Sequence, residues 1–379
     1  MLSLPWFLPF LTLFRLARKT PNLHHVAPAG DRFVSLIVPA RNEARTIETV
    51  VGSILASSYP QFELLVVDDR STDETAALVE RRSAMDPRLR LIRGRELPDG
   101  WYGKPWACWQ GYQAARGDVL VFTDADTRHA PQLLGRAVGA LESTGAALVT
   151  VAPRQLCVTL WERLVMPQIW LLLGLRYHPD RVNHAAHARD VIANGQFIMM
   201  PREAYVAIGT HEAVRMEVVE DLALAQQTWT AGKKLHFTFA EDFIETRMYT
   251  GLRELIEGWS KNIYLGGQRS FPQEAVLRAL MPLALALAVF FWLVPPLTLL
   301  LGALGAIDER LLTPALTAIA ASLGFWSLSS FGMGIPVRYA LGYPAGAMMA
   351  LYIIGRSTLR GRRRVEWKGR TYGRTVNRG

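Results

Sequence analysis

Val119-Leu120-Val121-Phe122-Thr123-Asp124-Ala125-Asp126 is the stretch that decides how this chain is read. Strand-forming residues run without a break into two carboxylates one residue apart. Alternate side chains of a strand share a face, so Asp124 and Asp126 are expected to point the same way just past a buried parallel strand. Paired hard oxygens there suit a divalent cation that keeps waters and also grips a phosphate. Open α/β sheets bind their ligands at the carboxyl ends of strands, which is where this pair falls. By itself Asp-x-Asp reads equally well as two solvated loop acids.

The flanking sequence alternates strand with helix. Apolar runs at 34–38, 64–67, 89–93 and 119–123 read as strands. Helices are expected at about 45–57, 75–82 and 105–115. That alternation implies a parallel, doubly wound sheet, with further strands, making it mixed, at 148–151, 197–200 and 235–239. Acidic or polar clusters follow the strands: Pro39-Ala40-Arg41-Asn42-Glu43 after the first, Asp68-Asp69-Arg70-Ser71-Thr72-Asp73 after the second, then Asp124/Asp126, and later Glu220-Asp221. So many carboxylates at one sheet edge require a cation or a basic donor beside them.

Of the 379 residues, 50% are hydrophobic, and the formal net charge is +9. Mean hydropathy is +0.13, with the apolar excess near the two ends. From Arg356 onward there are nine Arg/Lys against one acid, Glu366, so nearly all of the basic balance is local. No nucleic-acid reader motif accompanies it. A basic segment directly after apolar ones reads instead as a cytoplasmic flank. Cys108 and Cys157 have neither ligand nor framework spacing and read as reduced thiols.

Residues 1–20 form a short apolar segment, either a tilted membrane anchor or an interfacial helix. Basic residues follow it rather than precede it, which argues against a cleaved signal. The apolar stretch 156–175 is interrupted by Glu162, Arg163 and Pro167 and reads as a buried or membrane-surface helix. Leu252, Leu255, Ile256, Trp259 and Ile263 recur at helical spacing, so 251–271 is expected to be an amphipathic interfacial helix. Three apolar blocks follow at about 279–307, 311–335 and 339–354; the first two are long enough to span a bilayer and the third is marginal. If the α/β domain and the tail share a side, the number of crossings is even. Either the third block does not cross, or the first divides at Pro295-Pro296.

Taken together, Val38-Pro39-Ala40-Arg41-Asn42-Glu43, Val67-Asp68-Asp69-Arg70-Ser71-Thr72-Asp73, Gly103-Lys104-Pro105-Trp106-Ala107, Asp124-Ala125-Asp126, Gly195-Gln196-Phe197 and Glu220-Asp221 resemble a family 2 glycosyltransferase, closest to the membrane-bound branch associated with carotenoid and hopanoid lipids. The resemblance implies an α/β fold: a GT-A catalytic domain (Rossmann-like, doubly wound mixed sheet) at 33–250, transmembrane helices at 276–355 and a basic cytoplasmic tail at 356–379. It places the protein in the cell membrane, multi-pass, with the catalytic domain cytoplasmic.

Residue by residue, the resemblance implies that Pro39, Arg41 and Glu43 line a nucleotide pocket and that Asp69 accepts a hydrogen bond from a uracil-type base. Turn and cap chemistry is the plainer reading of Asp68 and Asp73. Lys104 would reach the donor diphosphate as a point charge. Asp124 and Asp126 would hold Mg²⁺ or Mn²⁺, Asp126 more directly, and Asp221 would be the catalytic base. The implied reaction moves one sugar, with inversion, from a nucleotide-diphosphate donor such as a UDP-sugar to a membrane lipid acceptor. The bilayer would be a partner and nucleic acid would not.

The processive synthases' Gln-x-x-Arg-Trp motif is replaced here by Gly258-Trp259-Ser260-Lys261-Asn262, which argues for a single addition. Trp259 would either stack on an acceptor or pack internally. In the tail, Trp367, Lys368, Arg370 and Tyr372 would either fold over the diphosphate or simply fix membrane orientation. His129 and His211 are further candidates for touching metal or acceptor. A polyprenyl-phosphate sugar synthase and a non-catalytic membrane partner of the same fold are the alternative functions.

Overall fold

The computed structural model describes residues 2–17, 20–272, 274–361, 365–367 and 370–372. By contact density the chain divides into two units: 21–156, 179–248 and 362–379 make the first, and 1–20, 157–178 and 249–361 the second.

The first unit is built on a seven-stranded sheet. Its strands are β1 (Val34–Ala40), β2 (Phe62–Asp68), β3 (Leu89–Arg93), β4 (Val119–Phe122), β6 (Leu148–Ala152), β8 (Ile198–Pro201) and β9 (Leu235–Phe239), ordered β3-β2-β1-β4-β8-β6-β9. All run parallel except β8, which is antiparallel to both β4 and β6. Helices cover both faces, which is why β1, β2 and β4 are buried along their whole length. Val34, Leu36, Val38, Leu64, Val66, Val119 and Val121 pack with the helices Ile47–Leu55 and Leu133–Thr144. On the opposite face lies the helix Gly103–Ala114, seated closely because Gly111 has no side chain: a Cβ there would stand 2.4 Å from Ile37 Cγ2.

A small second sheet joins β5 (Thr127–His129), β10 (Ile244–Thr246) and β7 (Arg154–Gln155). Strands of two or three residues are too short to show a period, so sequence patterning passes over them. The tail contributes the hairpin β11 (Val365–Trp367) and β12 (Arg370–Tyr372). Lys368 lies outside the described residues, and of Trp367, Arg370 and Tyr372 only the backbone is described.

Among the described residues of the second unit, two helical segments are long and apolar enough to cross a membrane, Ala275–Ala303 and Glu309–Gly332. The first passes through Pro295-Pro296 without dividing there, by way of a 3₁₀ turn at Phe291–Leu293. The third apolar block becomes a 3₁₀ turn, Val337–Gly342, and a helix, Tyr343–Arg360. That helix packs against Leu160–Arg176 and Leu252–Ser270. Gly346 permits the first contact, since a Cβ there would meet Leu164 O at 2.1 Å. Glu257 anchors the second, accepting from Arg356 Nη2 at 2.6 Å and from Arg360. At the N-terminus the helix Leu8–Ala17 is too short to span. It and the preceding turn lay Trp6 on Phe291 (4.8 Å) and Phe10 against Phe325 (5.8 Å). Trp259 is buried, donates its indole N–H to Met166 Sδ at 3.3 Å and meets Trp170 and Tyr249 edge-on, so its surroundings are those of internal packing.

Candidate active site

The carboxyl ends of β1, β2 and β4 open onto one edge, and their loops are laced together there. Asn42 and Arg70 both take left-handed backbone (φ 54° and 56°), which turns the first two loops sharply. Thr72 N donates to Asn42 Oδ1 at 2.8 Å, and Asn42 N to Ser71 Oγ at 3.0 Å. Arg41 Nη1 donates to the carbonyls of Asp69 (2.5 Å) and Arg70 (2.9 Å), so this guanidinium ties the second loop to the first. Pro39 is buried within β1, opposite Val67. Glu43 heads the helix Ile47–Leu55: its carbonyl accepts from Thr46 N and Ile47 N. Asp69 is buried directly after β2, its N–H donating to Ala40 O at 2.8 Å. Gly94 closes in behind it, with room for no Cβ beside the Asp68 carbonyl (2.6 Å). Asp73 behaves as a cap, with Oδ1 accepting from Thr75 N and Oγ1 and Oδ2 from Ala44 N. Burial raises its pKa, but these hydrogen bonds outweigh that and leave it low.

Beside this edge lies a charged cluster drawn from three distant parts of the chain. Lys104, in the first turn of its helix, places Nζ 2.7 Å from Asp124 Oδ1 and 2.7 Å from Glu220 Oε1. Asp221 follows Glu220 at the start of the helix Glu220–Thr230. Its Oδ2 accepts from Gly195 N at 2.9 Å and its Oδ1 from Leu222 N at 2.7 Å. Gly195 completes the packing, because a Cβ there would stand 2.9 Å from Lys104 Nζ and 3.2 Å from Asp221 Oδ2. Asp124 and Asp126 lie where the chain turns from β4 into β5, and Thr127 Oγ1 braces that turn on Asp124 O at 2.8 Å.

The electrostatics follow from burial and from who pairs with whom. Burial works against the Lys104 ammonium, yet Asp124 and Glu220 overcome this and hold its pKa well above the ordinary lysine value. Burial would raise Glu220, but the Lys104 charge and hydrogen bond bring it down. Asp221 is left outside that pairing: burial first and the negative charge of Glu220 second push it up to about 6. One of two adjacent acids is thus committed to the lysine, while the other is kept basic enough to take a proton near neutral pH.

Two histidines named as candidates are core residues instead. His129 is buried, its Nε2 within 3.1 Å of Thr123 Oγ1 and Thr127 Oγ1, and burial depresses its pKa to about 3. His211 is equally buried, with Nδ1 2.7 Å from the Tyr205 hydroxyl. The partnership of Glu220 with Lys104, by contrast, has no trace in the sequence, since nothing in the spacing of residues 104 and 220 announces an ion pair.

Among the described residues no group of three or more His, Cys, Asp or Glu could by itself hold a metal. What is present is a pair of acids at one turn, a donor set of hard oxygens. That set fits a small divalent cation completed by phosphate oxygens and water rather than an all-protein cage.

Comparison with known proteins agrees with this architecture. Residues 35–209 match the family model described as glycosyl transferase family 2. The chain is 27% identical over 271 residues to the 4,4'-diaponeurosporenoate glycosyltransferase of Staphylococcus aureus strain MRSA252, a match covering 68% of this chain and 66% of the relative. With the strain USA300 protein it shares 26% over 268 residues, at the same coverage. The chain thus spans just under two thirds of the length of these relatives. Among solved structures, a mannosyltransferase from Pyrobaculum calidifontis in complex with GDP-Man and Mn²⁺ superimposes with a TM-score of 0.58 at 20% identity, covering 95% of this chain and 97% of the other. That likeness speaks for the fold alone. With its motifs on the loops of a mixed, GT-A-like sheet, the chain resembles glycosyl transferase family 2 over residues 35–209.

Proposed function

We propose that this protein transfers a single sugar, with inversion, from a nucleotide-diphosphate donor to a lipid acceptor in the membrane, and that Asp221 is the base. One observation carries the reading: Lys104, Asp124, Glu220 and Asp221 converge at a sheet edge. In this reading Asp69 accepts the imide N–H of a uracil-type base, as only an acceptor can. Asp124 and Asp126 hold Mg²⁺ or Mn²⁺, which when bound would neutralise charge on the departing diphosphate. Lys104, held at the rim by two carboxylates, supplies a second positive charge to the same phosphates. Asp221, fixed by two backbone N–H donors, removes the proton from the acceptor hydroxyl as that oxygen attacks the anomeric carbon. A single displacement of this kind inverts the configuration.

The membrane part of the proposal rests on the segments Ala275–Ala303 and Glu309–Gly332. Two crossings return the chain to the side it started from, with Tyr343–Arg360 lying at the interface beside Leu252–Ser270. The catalytic unit and the basic tail then share the cytoplasmic side. The names of the Staphylococcus aureus relatives suggest a carotenoid acid as acceptor. Asp221→Asn tests the assignment. Transfer should fall by about 10²–10⁴-fold while UDP-sugar binding, followed by calorimetry, stays near wild type. Loss of binding in that variant would remove Asp221 from the role of base. Substantial remaining activity would favour a phosphate acceptor, as in a polyprenyl-phosphate sugar synthase.

A further inference from the structure

Arg163 and Arg338 flank the ring of Tyr339 within the helical unit. Arg163 belongs to the helix Leu160–Arg176, and Arg338 and Tyr339 to the turn Val337–Gly342. The guanidinium carbons stand 4.7 Å and 5.4 Å from the Tyr339 ring centre. Arg163 Nη1 donates to the Tyr339 hydroxyl at 2.6 Å, and its Nε to Cys157 O at 3.0 Å. The neighbouring acid, Glu162, is turned to its own helix start, accepting from Val158 N and Thr159 Oγ1. Among the described residues no carboxylate pairs with either arginine. Two positive charges therefore meet at one phenol with no carboxylate among the described residues to neutralise them, and they hold that phenol below its usual pKa, Arg163 more strongly than Arg338.

The same turn and the end of the segment before it carry large apolar side chains that are open. Phe331, Val337 and Leu341 are 76%, 52% and 72% exposed. Arg338 comes six residues after Gly332, where the second membrane-length segment ends. Uncompensated guanidinium groups beside exposed large apolar side chains, at the end of such a segment, match the boundary between hydrocarbon and headgroups. A guanidinium presents a planar fork of donors that suits phosphate oxygens, and a phenol adds one more donor.

We infer that Arg163, Arg338 and Tyr339 form a receptor for the phosphate of an anionic lipid headgroup at the membrane boundary. The inference rests on the membrane placement proposed above. The bound lipid would dock the turn Val337–Gly342 against the headgroup layer and bring Arg163, hence the helix Leu160–Arg176, to the same depth. A free phosphate offers the same oxygens but not the acyl chains that Phe331, Val337 and Leu341 would meet.

The test uses the full chain purified in detergent and titrated with phosphatidylglycerol or phosphatidylcholine, the lipid adducts being counted by native mass spectrometry. Wild type should prefer phosphatidylglycerol. Arg338→Gln, at an exposed site that folding tolerates, should weaken that binding about fivefold, and Arg163→Gln with it should weaken it further. Arg338→Lys, which keeps the charge but loses the fork, should fall between. Arg310→Gln, an equal loss of charge at the start of the second membrane-length segment, should change nothing. Unaltered phosphatidylglycerol binding in Arg338→Gln overturns the inference, and so does displacement of the lipid by equimolar inorganic phosphate, which would make this a site for a soluble anion. Flotation of wild type with lipid vesicles separates the two levels. A chain that does not float removes the membrane reading and this site with it, whereas one that floats with Arg338→Gln binding unaltered removes this site alone.

Discussion

At the scale of single residues, the site turns on two adjacent acids with opposite fates. Glu220 stays ionised, paired with Lys104, and Asp221 has no such partner, so burial first and the charge of Glu220 second carry Asp221 up to about 6. The active form of a base is the deprotonated one. A group raised to about 6 is protonated below that pH, so kcat/KM should climb as pH rises through about 6 and level off above it. Glu220→Gln leaves the burial but removes the second cause that holds Asp221 up, and it frees Lys104 to act on Asp221; both effects lower its pKa. The acid limb of the pH–rate profile should therefore move to lower pH in that variant, a shift that a merely structural role for Glu220 would not produce. Asp124 and Asp126 offer too few ligands to hold a cation tightly alone, so removal of divalent metal with EDTA should abolish transfer reversibly. Restoration by Mn²⁺ or Mg²⁺ but not by Ca²⁺, measured as sugar released from the donor, is the expected outcome.

At the scale of elements, the helix Gly103–Ala114 is what delivers Lys104, and its distance from the sheet is set by Gly111. A methyl group at that position meets Ile37 and Val67 side chains in a core that is already full. Gly111→Ala should cost about 1–3 kcal/mol of stability, seen as a lowered Tm, and displace Lys104 enough to raise the KM for donor. Elements of five residues or more leave a run long enough to be read in sequence: β3 and β9 lie at the limits read from sequence, and this helix begins only two residues earlier than expected there. That small difference matters, since it moves Lys104 from the loop into the first helical turn. Strands β5, β7 and β10 leave no such trace. They exist because β10 pairs with β5, more than a hundred residues earlier, and with β7, about ninety residues earlier, and local pattern carries no information about such partners.

At the scale of the whole molecule, the proposal distinguishes a chain that crosses the bilayer from one that lies on it. With Ala275–Ala303 and Glu309–Gly332 inserted, the protein should stay in the membrane pellet after extraction with alkaline carbonate, whereas a surface-bound chain would be released into the supernatant. Composition and order along the chain already determined a good deal: an α/β sheet with acids at its carboxyl edge, apolar segments after it, and a basic end. Those features are local, written in hydrophobic period, turn residues and runs of charge. The three-dimensional arrangement decided what depends on residues distant in sequence. It gave Lys104 to Asp124 and Glu220, turned Arg41 onto loop carbonyls, placed His129, His211 and Trp259 in packed interiors, and laid Tyr343–Arg360 along neighbouring helices. An ion pair or a buried contact is fixed by which groups the fold leaves within a few ångströms of each other, and no stretch of sequence contains that distance.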